Sequence, residues 1–134
     1  MVGVVLVSHG AIALEMLKVV EAIIGEVDAM QAVSTESGEP EAIRERIREA
    51  IEQTDQGDGV LIVTDMFGGT PANLALSFLN EKSIEVVTGA NLPMLLKLAT
   101  GRDDRPASEL ANFIREYGQR NITVASALLQ EPKR

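Results

Sequence analysis

Val4-Val5-Leu6-Val7-Ser8-His9-Gly10 reads as a buried strand that stops on the only histidine of the chain. A run from Val2, broken only by Gly3, is apolar or β-branched, which suits a strand covered on both faces. Ser8, His9 and Gly10 then turn the chain, and Leu14, Leu17, Val20, Ile23 and Ile24 follow at helical spacing until Gly25. Strand, turn and amphipathic helix in that order open an α/β unit. In such sheets ligands and chemistry gather at the carboxyl ends of the strands, where His9 stands.

The alternation continues along the chain. The pattern predicts strands over Val2–Ser8, Ala29–Ser34, Val60–Asp65 and Ile84–Thr88. It predicts helices over Ile12–Ile24, Pro40–Gln53, Ala72–Leu79 and Leu92–Thr100. A last helix carries Leu110, Phe113, Ile114 and Tyr117 and stops at Gly118. Ala29–Ser34 is weakly apolar and suits a sheet edge, whereas Val60-Leu61-Ile62-Val63 is apolar on both faces and suits the centre. Ile43, Ile47 and Ile51 form the core stripe of the second helix, and Glu41, Arg44, Glu45, Arg48, Glu49 and Glu52 fill its solvated face. Ile122–Ala125 is read as a short final strand. The expected fold is a three-layer, doubly wound α/β/α arrangement: a mainly parallel sheet of four strands plus that C-terminal strand. Residues 1–130 are read as one domain and 131–134 as a frayed tail.

Composition narrows the function. The net charge of -8 argues against nucleic acid, whose phosphates demand a basic face. Without cysteine there is no disulfide, thiolate metal site or cysteine nucleophile. No carboxylate or histidine cluster suited to a metal is apparent, so no metal and no cofactor is expected. No apolar run approaches the ~20 residues that cross a bilayer, and the Val2–Val7 run lacks a basic flank. The protein is read as soluble and cytoplasmic, with no membrane insertion.

Asp65 ends the third strand as His9 ends the first. In a doubly wound sheet these strands are neighbours, which would place the two residues side by side. A carboxylate beside an imidazole accepts a hydrogen bond from one ring nitrogen and turns the lone pair of the other outward. Gly68-Gly69-Thr70-Pro71 opens the next helix, where backbone amides and the Thr70 hydroxyl can cradle an anion. Together they suggest a nucleophilic imidazole facing a small anion site: a phosphoryl group on His9. The residues alone also fit plainer roles, a turn histidine, an aspartate cap and a tight glycine turn. The lysine-bearing phosphate loop is absent.

The ordered motifs resemble the enzyme IIA domain of the mannose-type sugar phosphotransferase system. Ser8-His9-Gly10, Asp65-Met66-Phe67-Gly68-Gly69-Thr70-Pro71-Ala72-Asn73, Gly89-Ala90-Asn91-Leu92-Pro93-Met94-Leu95 and Arg102-Asp103-Asp104 carry the likeness. It runs from residue 1 to about residue 120. The resemblance implies a histidine phosphocarrier: His9 takes a phosphoryl group on Nε2 from the phosphocarrier protein HPr and passes it to an enzyme IIB protein. It implies that Asp65 holds Nδ1–H, that Gly68, Gly69 and Thr70 bind the phosphoryl oxygens, and that Phe67 with Leu92, Pro93 and Met94 forms a docking rim. It also implies a homodimer. With no IIB domain following here, the acceptor is expected on a separate protein, for sugar uptake or regulation. The competing reading is a non-catalytic anion-binding or regulatory module of the same fold. A strand-end His-Gly also occurs in tetrapyrrole metal chelatases, but that chemistry wants further ligands beside the single histidine.

Overall fold

β1 (Gly3–Val7) lies inside a four-stranded sheet in a computed structural model of the chain, which describes residues 1–102 and 104–130. The strand order is β2-β1-β3-β4, with β2 at Met30–Val33, β3 at Val60–Thr64 and β4 at Ile84–Thr88. Every pairing is parallel, so all four carboxyl ends lie along one side of the sheet. Register places Val7 opposite Val33 on one flank and opposite Thr64 on the other. The first crossover moves outward to β2 and the next returns past β1 to β3. The chain therefore reverses its winding beside β1, where crevices form at carboxyl ends.

Side-chain alternation along β1 builds two cores. Val4 and Leu6 join Leu61, Val63, Leu95, Leu98, Leu110 and Ile114 on one face. Val5 and Val7 join Ile43, Ile47, Ile51, Ile62 and Phe78 on the other. The first face is covered by α1 (Ile12–Ile24), α4 (Leu92–Thr100) and α5 (Ala107–Arg120). The second is covered by α2 (Pro40–Thr54) and α3 (Gly69–Leu76). Burial on both sides explains why β1 and β3 read as unbroken apolar runs. The weakly apolar β2 is at an edge, as its composition predicts.

Three expectations need correction. The third helix starts at Gly69, not Ala72, because Pro71 falls within its first turn, where a missing N–H costs nothing. It ends at Leu76, and tighter turns follow, with Phe78 N–H donating to Ala75 O at 3.1 Å. Gly118 does not stop α5, which runs on to Arg120. The glycine serves close packing instead: a Cβ there would lie 2.6 Å from Met94 Cε. Finally, Ile122–Ala125 forms no strand. Ala125–Leu129 is a short helix, α6, rich in the best helix formers, that follows Val124 directly. The three β-branched residues before it are too few to make a strand without a partner edge. Ile122, Val124 and Leu129 are all exposed. The tail at 131–134 and Asp103 of the charged loop lie outside the described residues.

The opposite end of the sheet is closed by one cation. Arg102 is buried, and its guanidinium donates to the carbonyls of Val2 (2.8 Å), Ala29 (2.9 Å) and Asp28. Burial lowers its pKa, partly opposed by the charge of Asp28. The loop after α4 is thereby fastened to the starts of β1 and β2.

Candidate functional site

His9 stands two residues beyond the end of β1, and Asp65 one beyond the end of β3. Parallel pairing brings them together across 56 positions of sequence. His9 Nδ1 lies 3.0 Å from Asp65 Oδ2, and the backbone N–H of His9 donates to the same oxygen at 3.2 Å. The imidazole is 47% exposed and the carboxylate only 16%. Asp65 Oδ1 is buried without a hydrogen-bond partner among the described residues.

Burial pushes the Asp65 carboxyl up, but the hydrogen bonds from the His9 ring and amide, with the ring's charge, hold it below its ordinary value. The group is a carboxylate at neutral pH and can only accept. Nδ1 must then carry the proton of this contact, and in the neutral ring Nε2 holds the lone pair.

Nε2 faces the start of α3. A Cβ on Gly69 would lie 2.7 Å from Nε2 and 2.9 Å from Cε1. Glycine is required there twice over, since its φ is +86°. Gly68 is the N-cap at φ 104°, and Thr70 is exposed in the first turn. The structure thus brings His9, Asp65 and Gly69 into one cluster, with Gly68 and Thr70 flanking Gly69. At a helix start, unpaired amides and the aligned peptide dipoles favour an anion beside Nε2.

The rim residues separate. Phe67 is 73% exposed, and its neighbour Met66 is exposed as well. Leu92 and Pro93 are partly exposed. Met94 is not on the rim: it is buried beneath α5 against Gly118. Asn91, at the end of the turn after β4, is also committed elsewhere. Its Oδ1 accepts from Met94 N–H at 3.0 Å, capping α4, and its Nδ2 donates to Gly118 O at 3.0 Å. Leu92 instead lines an apolar groove with Ala11, Ile12, Met16 and Val19, beginning two residues from His9.

Two hydroxyls hold the backbone on either side of the Ser8–His9 bond. Ser8 is buried; its Oγ accepts from Ala13 N–H at 2.6 Å, serving the start of α1, and donates to His9 O at 3.1 Å. Thr35, just past β2, donates to Ser8 O at 2.7 Å. The available signal was positional: a hydroxyl residue immediately after a strand in a parallel sheet.

At the carboxyl ends of its two central strands, this parallel α/β sheet carries a carboxylate-oriented imidazole facing a glycine-lined helix start. Residues 3–115 match the family model described as the PTS system fructose IIA component. The chain belongs to the mannose-type enzyme IIA family of the sugar phosphotransferase system. It is 30% identical to the fructose-specific EIIA component of Bacillus subtilis strain 168, over 99% of this chain and 92% of that relative. It is 31% identical to the mannose-specific EIIAB component of Escherichia coli K12, covering 94% of this chain but only 40% of that longer protein. Among solved structures, the PTS IIA protein associated with the fucose utilization operon of Streptococcus pneumoniae superposes with a TM-score of 0.83. It is 28% identical, and the match covers 96% of both chains. The mannose/sorbose specific IIA subunit from Enterococcus faecalis gives 0.81 at 26% identity, over 99% of this chain and 98% of that one. No helix among the described residues is long and apolar enough to cross a membrane.

Proposed function

We propose that this chain is a histidine phosphocarrier: His9 Nε2 accepts a phosphoryl group from phospho-HPr and surrenders it to an enzyme IIB protein or a regulatory target. The observation that supports it most is the orientation of His9, with Nδ1 on Asp65 and Nε2 toward the glycine-lined start of α3.

The step asks little covalent chemistry of the protein beyond alignment and charge compensation. The lone pair of Nε2 attacks phosphorus; the bond from phosphorus to the donor imidazole breaks, and its electrons return to that ring. The proton on Nδ1 stays, held by Asp65, which stabilises the positive charge the ring gains. The amides of Gly68 and Gly69 and the Thr70 hydroxyl compensate the moving oxygens. Phe67, Leu92 and Pro93, with the groove along α1, supply the apolar docking surface that shields the transfer from water.

The rest of the reading follows the family: one enzyme IIA-like domain over residues 1–130, working as a homodimer in the cytoplasm, with HPr and an enzyme IIB protein as partners and no cofactor.

Intact mass after incubation with phosphoenolpyruvate, enzyme I and HPr tests it. One acid-labile phosphate on the wild type and none on His9→Ala is the expected result. A folded wild type left unmodified beside phosphorylated HPr would overturn the reading and leave an anion-binding module of the same fold.

A further inference from the structure

The Ser8–His9 peptide lies one step beyond the last backbone pairs of the sheet, which are Val7 with Val33 and Val7 with Thr64. Both of its polar groups are nevertheless held. The N–H donates to Asp65 Oδ2 on the β3 side at 3.2 Å. The C=O accepts from Thr35 Oγ on the β2 side at 2.7 Å. Side chains thus extend the ladder by one peptide on each flank of β1, and that peptide bears the imidazole. Asp65 touches the ring as well; Thr35 reaches it only through the backbone.

We propose that Thr35 is a positioning residue for His9, the counterpart of Asp65 on the opposite flank. The carbonyl after His9 is held by Ser8 Oγ and by Ile12 N–H at 3.3 Å. That bond fixes one peptide, and Thr35 with Asp65 fixes the other, so the Cα that carries the ring is constrained from both sides. Without the Thr35 hydroxyl, the Ser8 carbonyl is free to rotate away, and His9 N–H and Nδ1 lose their shared alignment on one carboxylate oxygen. An in-line transfer suffers from such a change, since a misplacement of about 1 Å can cost on the order of 10²-fold.

The inference rests on the phosphocarrier reading for its kinetic consequence, and one experiment separates the two. Thr35→Val keeps the shape and removes the hydroxyl; Thr35→Ser keeps the hydroxyl and removes the methyl. Each is compared with wild type for its rate of phosphorylation by phospho-HPr, and for its His9 ring nitrogens by NMR in the unphosphorylated protein. Thr35→Val should be phosphorylated about tenfold more slowly, with Nδ1 protonation less dominant in the ring spectrum, and Thr35→Ser should restore both. A folded Thr35→Val with either reading at the wild-type value overturns the proposal, as does a Thr35→Ser that rescues neither. Thr35→Ala, read the same way, decides the matter should the valine variant not fold. If wild type itself takes no phosphate, the phosphocarrier reading falls, and the ring spectrum alone decides the role of Thr35: unchanged, it overturns it; changed, it upholds it.

Discussion

Two single atoms govern the site, one present and one missing. Asp65 Oδ2 accepts both donors of His9. Because its carboxyl sits below the ordinary 3.8 in the folded protein, the contact adds stability that is complete above that value. It is lost as pH falls through the lower, folded pKa. Thermal unfolding of wild type and Asp65→Asn should therefore differ at pH 7, and the gap should close below about pH 4. A gap that stays the same size from pH 7 down through the acid range would mean that the charge contributes nothing. The missing atom is the Cβ of Gly69. Gly69→Ala would place a methyl 2.7 Å from Nε2 and hold alanine at a positive φ, costing about 1–2 kcal/mol. The variant should fold with a slightly lower Tm and take essentially no phosphate. Wild-type phosphorylation of Gly69→Ala would show that the reacting face lies elsewhere on the ring.

Helix ends decide how the elements meet. Asn91 both caps α4 and holds Gly118 O, so Asn91→Ala should lower stability by about 1–2 kcal/mol, read as a shifted denaturant midpoint with the His9–Asp65 contact intact. An unchanged midpoint would remove Asn91 from the α4–α5 junction. Sequence patterning located most elements well. Val2–Val7 and Val60–Val63 are apolar throughout because both faces are covered, and Gly25 ends α1 with its N–H on Glu21 O. His9 and Asp65 were legible because parallel strands put their carboxyl ends together. What stayed hidden depended on neighbours in space. Gly118 reads as a stop until Met94 is seen against it; Ile122–Ala125 reads as a strand until no sheet edge among the described residues receives it. Met94 reads as part of an exposed turn until α5 covers it. Thr35 belongs to none of the sequence motifs, and its role emerges only with the Ser8 carbonyl 2.7 Å away.

At the scale of the molecule, one end of the sheet carries the candidate site and the other carries a structural cation. Arg102→Met would take a donor from the buried Val2 carbonyl and from the part-buried carbonyls of Asp28 and Ala29, at a cost of about 1–3 kcal/mol. The expected result is a markedly lower Tm, with residual phosphorylation of His9 below that transition; a Tm equal to wild type would show that the guanidinium is dispensable. The same contact reaches across 100 residues, from Arg102 to Val2. A ribosome adds about 5–20 residues per second, so β1 waits roughly 5–20 s for its last anchor. During that interval its apolar run has only its earlier-made neighbours for cover. Residues 2–7 are therefore made well before the side chain that ties them down, so the sheet's apolar centre is secured late.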